Sequence, residues 1–124
     1  MKILIFENQV QDNLDVFNDV NFLDFDNRLR FEWITKSQDF NNYDALDNFD
    51  VVFVDIDLST KSEKDGYGVI EEFLNDYDYD RLVVMTGHNV KDELASRGWE
   101  NLKVLNKPII LDELKSIIES FEPE

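Results

Sequence analysis

Short apolar runs alternate with stretches of helical periodicity along the whole chain. Apolar runs rich in β-branched residues are typical of strands buried on both faces of a sheet. Such runs predict strands at residues 2–6, 51–55, 82–85 and 102–105, while residues 29–35 alternate loosely, as an edge strand does. Strands separated by helices favour an α/β fold, in which right-handed crossovers cover a parallel sheet on both sides.

Apolar residues at three- and four-residue spacing predict five helices, one after each strand. The first covers roughly residues 9–20, and Gly98 ends the short fourth helix. Residues 21–27 are predicted to be an extended connection and residues 58–66 a loop. The absence of repeats and linkers predicts one domain over residues 1–124. The apolar positions that mark the second to fifth helices are Phe40, Tyr43, Leu46 and Phe49; Val69, Ile70, Phe73, Leu74 and Tyr77; Val90 and Leu94; and Leu111, Leu114, Ile117, Ile118 and Phe121.

Composition narrows the class of protein. Of the 124 residues, 43% are hydrophobic, which is enough for one packed core. The net charge of −16 argues against nucleic-acid binding, which needs clustered lysine and arginine. The chain has no cysteine, so disulfides and thiolate metal sites are excluded. The apolar run at residues 3–6 is too short for a signal peptide or a membrane span, so we expect a cytoplasmic protein that binds no membrane.

Polar residues stand where four of the predicted strands end. Glu7 and Asn8 follow the first strand, Asp55 ends the third, Thr86 follows the fourth, and Lys107 lies just beyond the fifth. Parallel strands end at one edge of the sheet, which is where open α/β sheets bind ligands. The sequence therefore predicts one site at this edge.

These residue types suit phosphoryl chemistry beside a hard cation. Oxygen ligands favour Mg²⁺ that keeps several waters, and an aspartate beside it can attack a phosphoryl group. A threonine hydroxyl and a lysine ammonium can hold the phosphoryl oxygens. The alternative is structural: Lys107 forms a buried ion pair with Asp55, and Thr86 caps a loop.

The same residues resemble the motifs of response-regulator receiver domains of two-component signalling. Residues 2–7 are similar to the first strand and acidic pair of that family, and residues 50–56 to its phosphoacceptor strand. Asp65-Gly66 matches the Asp-Gly after the following loop, residues 85–87 the hydroxyl and small residue, and Lys107-Pro108 the lysine and proline. The resemblance covers essentially the whole chain and implies a flavodoxin-like, doubly wound (βα)5 fold with strand order 2-1-3-4-5.

The resemblance also implies a function. A histidine kinase or phosphotransfer protein would pass a phosphoryl group to Asp55 in a reaction that needs Mg²⁺ or Mn²⁺. Such a domain signals and is not an enzyme beyond its own phosphotransfer and autodephosphorylation. Phosphorylation would change the face of the fourth helix, fifth strand and last helix, where a partner or a second copy can dock. Carried over by position, the metal ligands are Glu7, Asn8, Asp55 and the backbone carbonyl of Asp57, the phosphoryl contacts are Thr86 and Lys107, and Pro108 is a candidate for a cis peptide bond.

The sequence departs from the family pattern at three places. Asn8 replaces the usual metal-binding acid, which predicts weaker Mg²⁺ affinity. Val104 replaces a frequent tyrosine or phenylalanine, so the usual relay from Thr86 to an aromatic ring cannot operate. The loop that follows Asp55 is longer than is common. In the family, the positions of Asp57 and His88 flank the phosphoryl group and influence its lifetime, so contact between these two side chains is a further hypothesis.

Two other functions stay open. A pseudo-receiver would keep the fold but dock partners without phosphorylation, which Asn8 and Val104 favour. An Asp-x-Asp sequence at Asp55 and Asp57 also resembles haloacid-dehalogenase-type phosphatases. Those enzymes need further acids on a strand after the lysine, whereas only a helix is predicted after Lys107.

Overall fold

The computed structural model describes residues 1–58 and 60–123. Its five strands form one parallel sheet in the order β2-β1-β3-β4-β5. The predicted fold class and strand order are therefore confirmed. The strands are β1 Lys2–Phe6, β2 Arg30–Ile34, β3 Val51–Asp55, β4 Leu82–Thr86 and β5 Lys103–Asn106.

Four α-helices lie in the described residues: α1 Val10–Asp24, α2 Gly66–Asp76, α3 Lys91–Ser96 and α4 Leu111–Ser120. None of the helices in this part of the chain is long and apolar enough to cross a membrane. The α3 and α4 helices are the fourth and last helices of the sequence prediction.

Apolar side chains on both faces of the sheet form two separate cores. Along β3, Val51 and Phe53 point into one core, and Val52 and Val54 point into the other. Complete burial of such side chains contributes roughly 1.5–3 kcal/mol each. The first core adds Phe17 and Val20 of α1 with Leu114 and Ile118 of α4, and the second adds Val69, Ile70 and Phe73 of α2 with Leu94 of α3.

The predicted second helix is wrong. The segment marked by Phe40, Tyr43, Leu46 and Phe49 instead contains the 3-10 segment Tyr43–Asn48, with Phe40 extended. Another 3-10 segment, Ser37–Asp39, precedes it. The buried apolar positions were identified correctly, since Phe40 and Leu46 lie in the core. Asparagine and aspartate crowd this segment, and their side chains compete with the backbone hydrogen bonds of an α-helix.

Two helix boundaries also differ from the prediction. The first helix runs on to Asp24, so residues 21–24 are helical and not extended. It ends where Asp26 and Asn27 adopt positive φ angles of 52° and 57°, a conformation that these residue types tolerate. The third helix begins at Gly66 inside the predicted loop, because the Asp65 carboxylate caps it by accepting a hydrogen bond of 2.8 Å from the Gly68 amide.

Candidate functional site

The parallel register brings the polar strand ends to one edge of the sheet. Phe6 of β1 pairs with Val54 of β3, which places Glu7 beside Asp55. Asp55 in turn pairs with Met85 of β4, immediately before Thr86. The structure therefore gathers the predicted residues at the predicted edge.

Lys107 bridges two buried carboxylates at this edge. Its Nζ lies 2.5 Å from Glu7 Oε2 and 2.7 Å from Asp55 Oδ2. Glu7 is fully buried and Asp55 is 3% exposed. The structural alternative from the sequence, a buried pair of Lys107 with Asp55, is thus present, and Glu7 joins it. Removing Lys107 would leave two buried acids without a counter-ion.

The remaining carboxylate oxygens accept backbone hydrogen bonds. The Gln9 amide donates to Glu7 Oε1 over 3.1 Å, and the Asp57 amide donates to Asp55 Oδ1 over 2.9 Å. All four oxygens of the two acids are therefore satisfied within the protein. This arrangement fixes the orientation of Asp55 from both sides.

Burial and the neighbouring charges also shift the pKa values of Glu7 and Lys107. Burial, reinforced by the neighbouring Asp55 and opposed by Lys107, raises the pKa of Glu7 to about 7. Burial by itself would lower the pKa of Lys107, but its hydrogen bonds to Asp55 and Glu7 outweigh this and raise it. Lys107 therefore stays charged near neutral pH, at which the Glu7 carboxyl is protonated in a fraction of the molecules.

The donor set suits a weakly held hard cation. All its candidate donors are oxygens, and Mg²⁺ commonly uses one or two carboxylates and several waters. In the described residues, however, no group of three or more acidic, histidine or cysteine side chains is arranged to hold a metal. Asn8 is half-buried, and its side-chain amide forms no hydrogen bond to another described residue. A cation would therefore depend on Glu7, Asp55 and uncharged oxygens, in competition with Lys107.

The Thr86 hydroxyl is directed to the loop that follows its own strand. Thr86 is fully buried, accepts a hydrogen bond of 3.0 Å from the His88 amide, and donates one of 3.3 Å to the His88 carbonyl. The structural alternative from the sequence, a loop cap, describes this geometry. The Lys107 amide donates to the Thr86 carbonyl over 2.8 Å, which joins the ends of β4 and β5.

The predicted contact between Asp57 and His88 is present on the rim of the site. The His88 Nε2 lies 3.4 Å from Asp57 Oδ2, and the two side chains are 74% and 62% exposed. An ion pair this exposed contributes little to stability. The peptide bond between Lys107 and Pro108 is cis, as the resemblance implies.

Gly66 has a steric role that the sequence analysis did not identify. A Cβ atom at this position would lie 2.3 Å from the Asp55 carbonyl oxygen and 2.5 Å from the Ile56 Cα. The Gly66 amide also donates to the Ile56 carbonyl over 3.2 Å. Only glycine allows the start of α2 to approach the end of β3 this closely. The available signal was the Asp65-Gly66 pair, which stands just before the apolar positions that mark the third predicted helix.

A groove separates α3 from β5. It has a volume of about 590 Å³ and runs from the end of β4 to Val104, which is half-buried. Val90, Leu94 and Leu102 form its apolar part, while Asn89 and Asn106 are polar. The groove occupies the side of β5 on which the sequence resemblance leads one to expect an aromatic ring.

Comparisons with known proteins identify the fold. No protein-family model matches the chain, and no curated protein matches its sequence. Among solved structures, the receiver domain of Francisella response regulator 1452 is 13% identical with a TM-score of 0.67, covering 97% of this chain and 94% of that one. The signal receiver domain of a DNA-binding response regulator (merR) from Colwellia psychrerythraea is 16% identical with a TM-score of 0.76, covering 97% and 96%.

A longer protein contains the same fold. NtrX from Brucella abortus is 20% identical with a TM-score of 0.71, covering 96% of this chain and 26% of that one. At these identities the likeness shows the fold alone. The chain therefore has the fold of response-regulator receiver domains over nearly its whole length.

Proposed function

We propose that the chain is a phosphoacceptor receiver domain that takes a phosphoryl group onto Asp55 from a phosphohistidine of a kinase or phosphotransfer protein. The observation that carries the proposal is the Lys107 ammonium between Glu7 and Asp55 at the ligand-binding edge of a receiver fold. A carboxylate oxygen of Asp55 attacks phosphorus, the bond from phosphorus to the donor imidazole breaks, and the imidazole leaves as the neutral ring after it gains a proton.

The residues around Asp55 would divide the work as follows. Lys107 is already within hydrogen-bond distance of Asp55 and can move its ammonium to a phosphoryl oxygen. The Asp57 amide holds the second Asp55 oxygen and so keeps the carboxylate oriented. Glu7, Asn8, Asp55 and the Asp57 carbonyl would hold Mg²⁺ or Mn²⁺, which when bound would neutralise phosphoryl charge.

Thr86 would transmit the change. A phosphoryl oxygen competes with the His88 backbone for the Thr86 hydroxyl, so phosphorylation would release the loop that begins at Gly87. This loop borders the groove between α3 and β5. The face formed by α3, β5 and α4 would then change its affinity for a partner or for a second copy of the chain.

Acetyl phosphate tests the proposal. The protein is treated with acetyl phosphate and Mg²⁺, and intact mass is measured for the parent, Asp55→Asn and Asp57→Asn. We expect one added phosphoryl group on the parent and on Asp57→Asn, because the latter keeps its backbone amide and carbonyl. Asp55→Asn should stay unmodified. Equal labelling of Asp55→Asn, or no labelling of the parent, would overturn the proposal.

A second candidate is a pseudo-receiver that docks partners without phosphorylation. The specific observation in its favour is that all four oxygens of Glu7 and Asp55 already have protein partners, while Asn8 supplies no charge to a cation. An unlabelled parent protein whose complex with its partner is unaffected by Asp55→Asn would support this function.

A further inference from the structure

The long loop after β3 is fastened to the turn after β2. The turn is the 3-10 segment Ser37–Asp39, and the described part of the loop is residues 56–58 and 60–65. Four backbone groups of residues 61–64 form hydrogen bonds with Ser37, Gln38 and Ser62 side chains. We call these three side chains the loop anchor.

Gln38 pairs with the loop as a strand would. Its Nε2 donates to the Lys61 carbonyl over 2.9 Å, and its Oε1 accepts from the Glu63 amide over 2.9 Å. One side-chain amide thus satisfies a backbone acceptor and a backbone donor two residues apart. Both groups lie in a segment without regular secondary structure, so no neighbouring strand or helix would replace these bonds.

Two serine hydroxyls complete the anchor. Ser37 is buried, and its Oγ accepts a hydrogen bond of 2.9 Å from the Lys64 amide. The Ser37 amide donates to Ser62 Oγ over 2.8 Å, and that hydroxyl donates to the Lys64 carbonyl over 2.6 Å. The Ser37 hydroxyl also donates to Gln38 Oε1 over 3.4 Å, so both hydroxyls donate one hydrogen bond and accept one. Together these bonds fix the position of Lys64 relative to the turn.

The α2 helix provides a second attachment for the same part of the loop. The Lys64 ammonium forms an ion pair with Glu72 of α2, and the Tyr43 hydroxyl donates to the same carboxylate. Tyr43 belongs to the second 3-10 segment and stacks on Tyr77 with a centroid distance of 4.2 Å. The loop is therefore held between the two 3-10 segments, Ser37–Asp39 and Tyr43–Asn48, on one side and α2 on the other.

Both ends of the anchored loop contact Asp55. At its start, the Asp57 amide donates to the Asp55 carboxylate. At its end, Gly66 packs against the Asp55 carbonyl and donates to the Ile56 carbonyl. Displacement of residues 61–64 would therefore act on both ends of a segment whose first residues position the Asp55 side chain.

We propose that Ser37 and Gln38 are positioning residues for Asp55: by holding residues 61–64, they keep the Asp57 amide and carbonyl in place before any phosphoryl group or cation arrives. The proposal rests on the proposed function of Asp55 for its chemical consequence. It assigns to the turn after β2, on the far side of β1 from Thr86, a role in the readiness of the phosphorylation site.

Two measurements on the full chain test the anchor. Amide hydrogen exchange is followed by NMR without metal for the parent, Ser37→Ala, Gln38→Ala and the double variant. Loss of the anchor bonds should speed exchange of the Glu63, Lys64 and Asp57 amides by about fivefold or more. Labelling by acetyl phosphate is then measured against Mg²⁺ concentration. The concentration for half-maximal rate should rise by about tenfold in the double variant, with a smaller change in the limiting rate.

Matched controls separate this role from general stability. Ser116 is exposed on α4 and Gln11 is exposed on α1, so Ser116→Ala and Gln11→Ala should resemble the parent in both measurements. Gln38→Glu keeps the acceptor for the Glu63 amide but loses the donor to the Lys61 carbonyl, so its effect should fall between the parent and Gln38→Ala.

The outcomes are distinguishable from failure of the proposed function. If exchange quickens only within residues 61–64 while the Asp57 amide and the Mg²⁺ dependence stay unchanged, the positioning role is refuted. If the parent takes no phosphoryl group, the proposed function fails, and exchange of the Asp57 amide alone decides the anchor. Faster exchange there would then support positioning, and unchanged exchange would overturn it.

Discussion

The charged end of the sheet and the groove beside β5 are built in opposite ways. At the charged end, Glu7 and Asp55 are buried, and each of their carboxylate oxygens accepts a hydrogen bond, two of them from the partly exposed Lys107. At the groove, Val104 leaves about 590 Å³ of open space between α3 and β5. The first region tolerates little change because buried charges need their partners, whereas the second has room for side chains of several sizes.

This difference separates the two halves of the proposed function. The chemistry of phosphoryl acceptance requires a fixed carboxylate and ammonium, and both are held firmly. Transmission of the change requires a movable element, and the Thr86 hydroxyl bonded to the His88 backbone is the part in place for it. We therefore expect substitutions to cost most at the charged end and least in the groove.

Lys107→Met should give the largest effect. It leaves two buried acids without their shared ammonium, and we expect the free energy of unfolding to fall by about 3–5 kcal/mol in urea denaturation. The control is Lys115→Met, because Lys115 lies 3.4 Å from Asp24 and is 42% exposed. That variant should lose less than about 1 kcal/mol. Adding Glu7→Gln to Lys107→Met should restore part of the loss; equal losses for the two lysines would contradict the comparison.

Gly66→Ala should come next. Its new Cβ would lie 2.3 Å from the Asp55 carbonyl oxygen, so the start of α2 must shift. Overpacking of this kind costs about 1–3 kcal/mol in the free energy of unfolding.

Gly87→Ala is the matched control for the glycine substitution at the groove. No heavy atom lies within 4 Å of a Cβ at Gly87. Its stability in urea should stay unchanged or rise by up to about 1 kcal/mol, because alanine restricts the unfolded chain. A loss at Gly87 as large as that at Gly66 would show that packing differs little between the two regions.

The Glu7 carboxyl should make stability depend on pH. Its folded pKa of about 7 lies above the usual 4.5, so between these values the native state binds more protons than the unfolded state. Stability relative to Glu7→Gln should therefore fall as pH rises from about 4.5 to about 7, and level off above that. Over this pH range, the free energy of unfolding of the parent relative to that of Glu7→Gln should fall by about 1–3 kcal/mol, measured by urea denaturation without divalent metal. If the parent instead gains stability relative to Glu7→Gln as pH rises, the folded protein stabilises the ionised form of Glu7.

Val104→Phe should give the smallest effect. The half-buried position adjoins open volume, so the larger ring should change the free energy of unfolding by no more than about 1 kcal/mol. Labelling of Asp55 by acetyl phosphate should stay as in the parent. Val84→Phe provides the contrast, since Val84 is fully buried in β4. A similar loss in both variants would show that the groove is not available to a side chain.

Sequence reasoning was most accurate where one strong local signal decided the structure. The run from Val51 to Val54 is apolar at every position, so both faces had to be buried, and a central parallel strand followed. It was least accurate between Phe40 and Phe49, where apolar spacing favoured a helix but asparagine and aspartate favoured turns. There the buried residues were found, and the backbone conformation was not.

The candidate site shows the same division. Residue types at the strand ends were sufficient to place Glu7, Asp55, Thr86 and Lys107 at one edge of the sheet. The contacts of Ser37 and Gln38 within the loop anchor had no signal in the sequence, because their partners are backbone groups 23 to 27 residues away.

The sequence by itself determined which residue type stands at the end of each strand, and hence which groups meet at the edge of the sheet. Apolar periodicity and strand-end position are local properties, so they can be read along the chain. Only the tertiary structure decided how those groups pair. Lys107 lies between both acids, the Thr86 hydroxyl bonds to the loop after its own strand, and Gly66 has no room for a Cβ atom. Spacing along the chain leaves several partners equivalent, and only contacts across the fold decide between them.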